Sequence, residues 1–167
     1  MHPAAFAILA YLVLGLQLGL GDIVGWGGWG PNLVLIVAAW IAVRASAESA
    51  LLGPFLLGVT HDLLTPMPLG LLAFTYGIAA VATLRIRKSL IPNAPIVQAL
   101  ITLVFGGLLT VASPTLNRLR GGEPDGPPWT ALLVSTILSA LLAPLLMPLL
   151  ERLAEVMGMR RNPRIFD

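Results

Sequence analysis

The sequence contains no cysteine and only two histidines, His2 and His61. Disulfides, thiolate nucleophiles and cysteine-ligated metals are therefore excluded, and a histidine-based metal site would need ligands gathered from distant segments. Charge is scarce as well: 11% of the residues are Asp, Glu, Lys or Arg, where a soluble domain carries about 25%. The formal net charge of +2 provides no basic surface of the kind that holds a nucleic acid backbone. A phosphate-binding loop, a paired nucleophile and base, a metal-ligand cluster and a cofactor fingerprint are all missing. The sequence points to a protein that is not an enzyme and carries no cofactor.

What is present is apolar: 57% of the residues are hydrophobic, more than a soluble fold of this size can bury. They fall in long runs separated by short polar breaks, without the strict alternation of a membrane barrel strand. In lipid, only helices and closed barrels satisfy their own backbone polar groups, so the pattern predicts an all-α, polytopic membrane protein of about six helices in one compact bundle. The expected spans are 3–20, 31–47, 50–64, 69–86, 96–112 and 129–150, forming a single domain over 1–150, with a basic tail at 151–167. No Lys or Arg precedes the first run, which leads straight into further apolar segments. It is read as a retained helix rather than a secretory signal.

Several residues stand out along the chain. Gly15 and Gly19 have the small-x-x-x-small spacing that lets a second helix approach closely. They are assigned first to packing within this protein, with contact to another protein as the alternative. Gln17 between them is expected to be a satisfied interior or interfacial polar group. Trp26 and Trp29 suit a headgroup-level loop. The second span is short; Arg44 at its end is expected to snorkel to the surface, and an interfacial placement is open to this helix. Thr102 and Thr110 are expected to return their hydroxyl bonds to the backbone of the fifth helix, where Gly106-Gly107 marks a packing or kink point. The segment Ser113 to Trp129, carrying Arg118 and Arg120, is read as the one long loop, either a connector or a docking surface. In the tail, Arg160, Arg161 and Arg164 suit anionic lipid headgroups.

The most structured stretch is Leu51 to Lys88, two apolar runs joined by the elbow Thr65-Pro66-Met67-Pro68. Gly53, Pro54 and Gly58 permit close packing or a bend in the first run. Asp62 lies at the end of that run, where a carboxylate opposes the helix dipole and needs compensation. Backbone N–H groups of the elbow, in an Asx-type turn, are the expected partners. His61 and Asp62 diverge by about 100° on a helix and make a poor catalytic dyad. With six spans the basic residues sort to one side, Arg118 and Arg120 excepted, and the positive-inside rule places both termini in the cytoplasm. The Trp26/Trp29 loop, the Asp62 elbow and the Arg118 loop then share the outer face.

The hairpin resembles the central element of the MreD family, small integral membrane proteins of the bacterial rod-shape machinery. The resemblance rests on Gly53, Gly58, Asp62-Leu63-Leu64, Pro68-Leu69-Gly70, Arg85 and Arg87; His61 and Pro54 depart from the family pattern. It implies a non-catalytic subunit of the bacterial inner membrane that binds an MreC-like bitopic protein. Through that partner it would help couple MreB filaments to peptidoglycan synthesis by RodA and a class B penicillin-binding protein. The architecture is also similar to the substrate-binding subunits of energy-coupling-factor vitamin transporters, which use small residues of their first helix to meet a transmembrane partner. That gives the alternative function.

Overall fold

The structure is a computed structural model that describes residues 3–24, 29–65, 69–87, 94–119 and 129–156. The described residues form six helices: α1 (Pro3–Val24), α2 (Leu33–Arg44), α3 (Ala47–Leu64), α4 (Leu71–Ile86), α5 (Pro95–Leu119) and α6 (Trp129–Val156). Three of them, α1, α5 and α6, are long and apolar enough to cross a membrane, while α2 and α4 are shorter apolar helices. The chain is thus a helical protein with the make-up of a membrane protein.

The short α2 is the centre of the molecule. Every residue from Val34 to Val43 is buried, and α2 packs against all five other helices. From Val34 to Val43 it presents no exposed face. Ala38, Ala39 and Ala42 allow neighbouring backbones to come close, and Val34, Leu35, Ile36 and Ile41 fill the space between them. Around this axis α3 pairs with α4 and α5 pairs with α6, while α1 lies along one side against α2 and α3. The outward faces of the surrounding helices are apolar, as in the row Ile137, Leu141, Leu145 and Leu149 on α6, whose four-residue spacing places them on one stripe.

Two contacts fix how α2 and α6 stand beside one another. The backbone N–H of Asn32 donates to Ser139 Oγ at 2.7 Å, and Arg44 pairs with Glu151. Twelve residues separate the two contacts on each helix, so the pair runs parallel and in step. Arg44 is therefore held by an ion pair rather than simply snorkelling. Glu151 belongs to α6, which runs to Val156, six residues into the expected tail. On the other side, the position of Gly53 is filled against Ile41. Counting nine residues along each antiparallel helix from that contact brings Asp62 level with Asn32.

The fifth helix runs through Pro114 to Leu119, about two turns into the segment expected as a loop. The Thr115 hydroxyl donates to the Val111 carbonyl just there, which accommodates a carbonyl in the turn that the proline disturbs. Thr102 and Thr110 donate to the carbonyls of Gln98 and Gly106. Gly106 is a packing point: a Cβ there would lie 2.6 Å from Thr136 Oγ1. Gly107 faces open space.

Candidate functional site: the capped α3–α4 hairpin

Asp62 is almost fully buried at the end of α3. Its carboxylate accepts three backbone bonds from the start of α4: Oδ2 from Gly70 N at 3.0 Å and Ala73 N at 3.1 Å, and Oδ1 from Leu72 N at 3.0 Å. The partners therefore lie eight to eleven residues downstream, and the bonds are not those of an Asx turn. A side chain that sits badly on its own helix, where it faces the negative end of the dipole, sits well on the next, where it meets unpaired N–H groups and the positive end. One carboxylate thereby satisfies three of the orphan donors of α4.

Two glycines make that geometry reachable. Gly70 has φ +92°, a left-handed conformation that costs an L-residue about 1–2 kcal/mol, and it turns the chain into α4 as its N-cap. Gly58 is one turn below Asp62. A Cβ at Gly58 would stand 2.5 Å from Ala73 Cα and 2.7 Å from Ala73 N, so α3 and α4 meet there backbone to backbone. Ala73 is both the residue against which Gly58 packs and a donor to Asp62. Pro68 lies outside the described residues, as do Trp26, Lys88, Arg120, Arg160, Arg161 and Arg164.

Beside the hairpin is a second polar set that the sequence did not connect to it. Gln17 of α1 accepts from Leu33 N at 2.6 Å and donates to the Pro31 carbonyl at 3.4 Å. Asn32 caps α2 by accepting from Leu35 N, and the Ser139 hydroxyl donates a hydrogen bond to the Ser135 carbonyl. The Tyr76 hydroxyl is fully buried and directed at the Asn32 side chain but meets no partner at hydrogen-bond geometry. His61 is buried, and its Nδ1 is also unpaired. The only early hint of this set was Gln17, an amide inside an apolar run. Among the described residues no group of acids and histidines is placed to hold a metal ion.

At the opposite end, Arg87 donates to the Ala45 carbonyl at 2.8 Å. Partial burial lowers the pKa of its guanidinium. Arg118 is exposed on the last turn of α5.

The α1 glycines require a correction. Among the described residues nothing lies within 4 Å of a Cβ placed at Gly15 or at Gly19, so these glycines do not serve packing between the described helices. Gln17 turns inward between them while their face stays open, next to the exposed Tyr11, Leu12 and Leu16. Gly15→Ala and Gly19→Ala are expected to leave thermal stability in detergent unchanged or slightly raised, by up to about 1 kcal/mol each from helix propensity. A loss of stability would show that the two glycines do pack inside the chain. Comparison with protein-family models, with curated proteins and with solved structures returns no match.

Proposed function

We propose that this chain is a non-catalytic integral membrane subunit of the bacterial cell-elongation machinery, of the MreD type. In this reading it binds an MreC-like bitopic protein and helps couple MreB filaments to the peptidoglycan synthases. The observation that carries the proposal is the hairpin. Gly58, Asp62 and Gly70, three residues on which the resemblance rests, form one interlocked unit in which each is needed for the others' geometry. A shared motif made of mutually dependent residues is harder to reach by chance than scattered glycines and leucines.

On this reading all six helices lie in the inner membrane with both termini in the cytoplasm. The basic ends of α2 and α4, at Arg44, Arg85 and Arg87, face inward, and the Asp62 hairpin, Trp29 and Arg118 face outward. The open Gly15/Gly19 face is the surface offered to a partner's transmembrane helix, since small residues allow close backbone approach in lipid. The same open face is compatible with a substrate-binding subunit of an energy-coupling-factor transporter, the second reading. Depletion of the protein in its rod-shaped host is expected to widen or round the cells. Unchanged cell width on depletion would remove the elongation reading.

A further inference from the structure

We infer that the end of the bundle carrying Asp62 contains a water-filled recess, floored by the start of α2 and by Thr65, Leu69 and Gly70 between α3 and α4, and walled by the longer helices α1, α5 and α6. The inference rests on the reading of this chain as membrane-embedded, and not on the identity of any partner.

The heights of the helices carry it. Asn32, Ser139 and Asp62 are level, as the α2–α6 and α2–α3 contacts establish. From that level α6 continues for ten more residues to Trp129, about 15 Å. On α5, Thr110 meets Thr136, and the helix climbs nine residues beyond that contact to Leu119. On α1, Gln17 bonds the 31–33 segment, and seven residues follow to Val24. The elbow, by contrast, has already left the helix at Thr65, three residues or about 5 Å above Asp62. Two stretches of irregular backbone, 29–32 and the elbow residues Thr65, Leu69 and Gly70, thus sit about 10 Å or more below the end of α6.

Irregular backbone is tolerated at that depth only where protein buries it or water reaches it. Protein does not bury it here: Trp29 and Leu69 are exposed, and Gly30, Pro31, Asn32, Thr65 and Gly70 are partly exposed, whereas α2 is sealed from Val34 onward. Water is the remaining partner. Of the polar side chains collected at this level, Gln17 and Asn32 are partly exposed and belong to such a floor, while Ser139 and Asp62 are sealed just beneath it. The unpaired Tyr76 hydroxyl and His61 Nδ1 lie beside it.

Because the chain has no native cysteine, single cysteines report access directly. The variants are Gly30→Cys and Thr65→Cys on the floor, Ile137→Cys at the same depth on the lipid-facing side of α6, and Trp129→Cys at the helix end. Each is reconstituted in nanodiscs, which expose both faces and make the result independent of orientation. Each is then treated with a charged trimethylammonium methanethiosulfonate. The floor cysteines are expected to react within about tenfold of Trp129→Cys, and Ile137→Cys about a hundredfold slower, since a thiol in hydrocarbon neither ionises nor meets the reagent. Floor cysteines as slow as Ile137→Cys would overturn the recess while leaving the membrane reading intact. A fast Ile137→Cys would instead remove the membrane reading on which the recess stands. Retention of the monodisperse gel-filtration profile and helical spectrum checks that each variant is folded.

Discussion

Replacing Asp62 by alanine is expected to be among the most damaging single changes available in this protein, lowering stability by roughly 3 kcal/mol or more. The estimate counts three backbone donors left without their acceptor at about 1 kcal/mol each, the low end for a buried unsatisfied group. The loss of a negative charge at the start of α4 adds to it. Asp62→Asn should fall between alanine and wild type. An amide has one acceptor oxygen, so it can keep the pair of bonds that Oδ2 makes to Gly70 and Ala73 but must turn its NH2 toward the N–H of Leu72. Thermal or denaturant unfolding in a fixed mild detergent checks the order wild type, asparagine, alanine. If alanine proved neutral, the carboxylate would not be what holds the start of α4.

The second large effect belongs to Gly58. Its added Cβ would collide with the Ala73 and Leu72 backbone, which cannot rotate away as a side chain can. Gly58→Ala is therefore expected to push α3 and α4 apart and to cost about 1–3 kcal/mol, the range for overpacking a filled interior, with Gly58→Val beyond it. The displaced atom is the Ala73 nitrogen that Asp62 binds, so the two sites share a partner. The double variant Gly58→Ala/Asp62→Ala should therefore lose less than the sum of the two single losses, because neighbours with a common contact are not additive. Additive losses in a double-mutant cycle would show that the packing and the cap act separately.

The hairpin was largely legible in the sequence because its parts are local and chemically distinctive. An acid at the end of an apolar run needs donors, and a Gly-rich run followed by a turn supplies close packing. What could not be read was which donors Asp62 takes, since Gly70, Leu72 and Ala73 become neighbours only when α4 folds back. The central position of α2 was hidden for a different reason. In lipid a core helix and a peripheral helix are both apolar all round, so LVLIVAAWIAV carries no stripe that tells inside from outside. The same ambiguity misled the reading of Gly15 and Gly19, whose spacing signals a close contact without saying with what. The segment from Ser113 to Trp129 reads as a loop from its Gly and Pro content, yet α5 passes through Pro114 to Leu119. Glu151 looked like the first residue of a polar tail until its pairing with Arg44 drew it into α6.

These placements bear on how the protein would work in a complex. Its interior is tied at both ends, by Asp62 and the Gln17–Asn32–Ser139 set at one and by Arg44–Glu151 and Arg87–Ala45 at the other. Its α1 glycine face meets no close neighbour among the described residues. On the proposed reading, this open face is where a partner's transmembrane helix would sit.

The measurement that tests the proposed role most directly is affinity purification from the protein's own bacterial membranes in mild detergent, with mass spectrometry of the proteins recovered. The elongation reading predicts recovery of an MreC-like bitopic protein with cell-wall synthases, and their loss when Gly15 and Gly19 are both replaced by leucine in an otherwise stable protein. Recovery of paired ATPases with a transmembrane coupling subunit, and no MreC-like protein, would contradict it and assign the chain to transport.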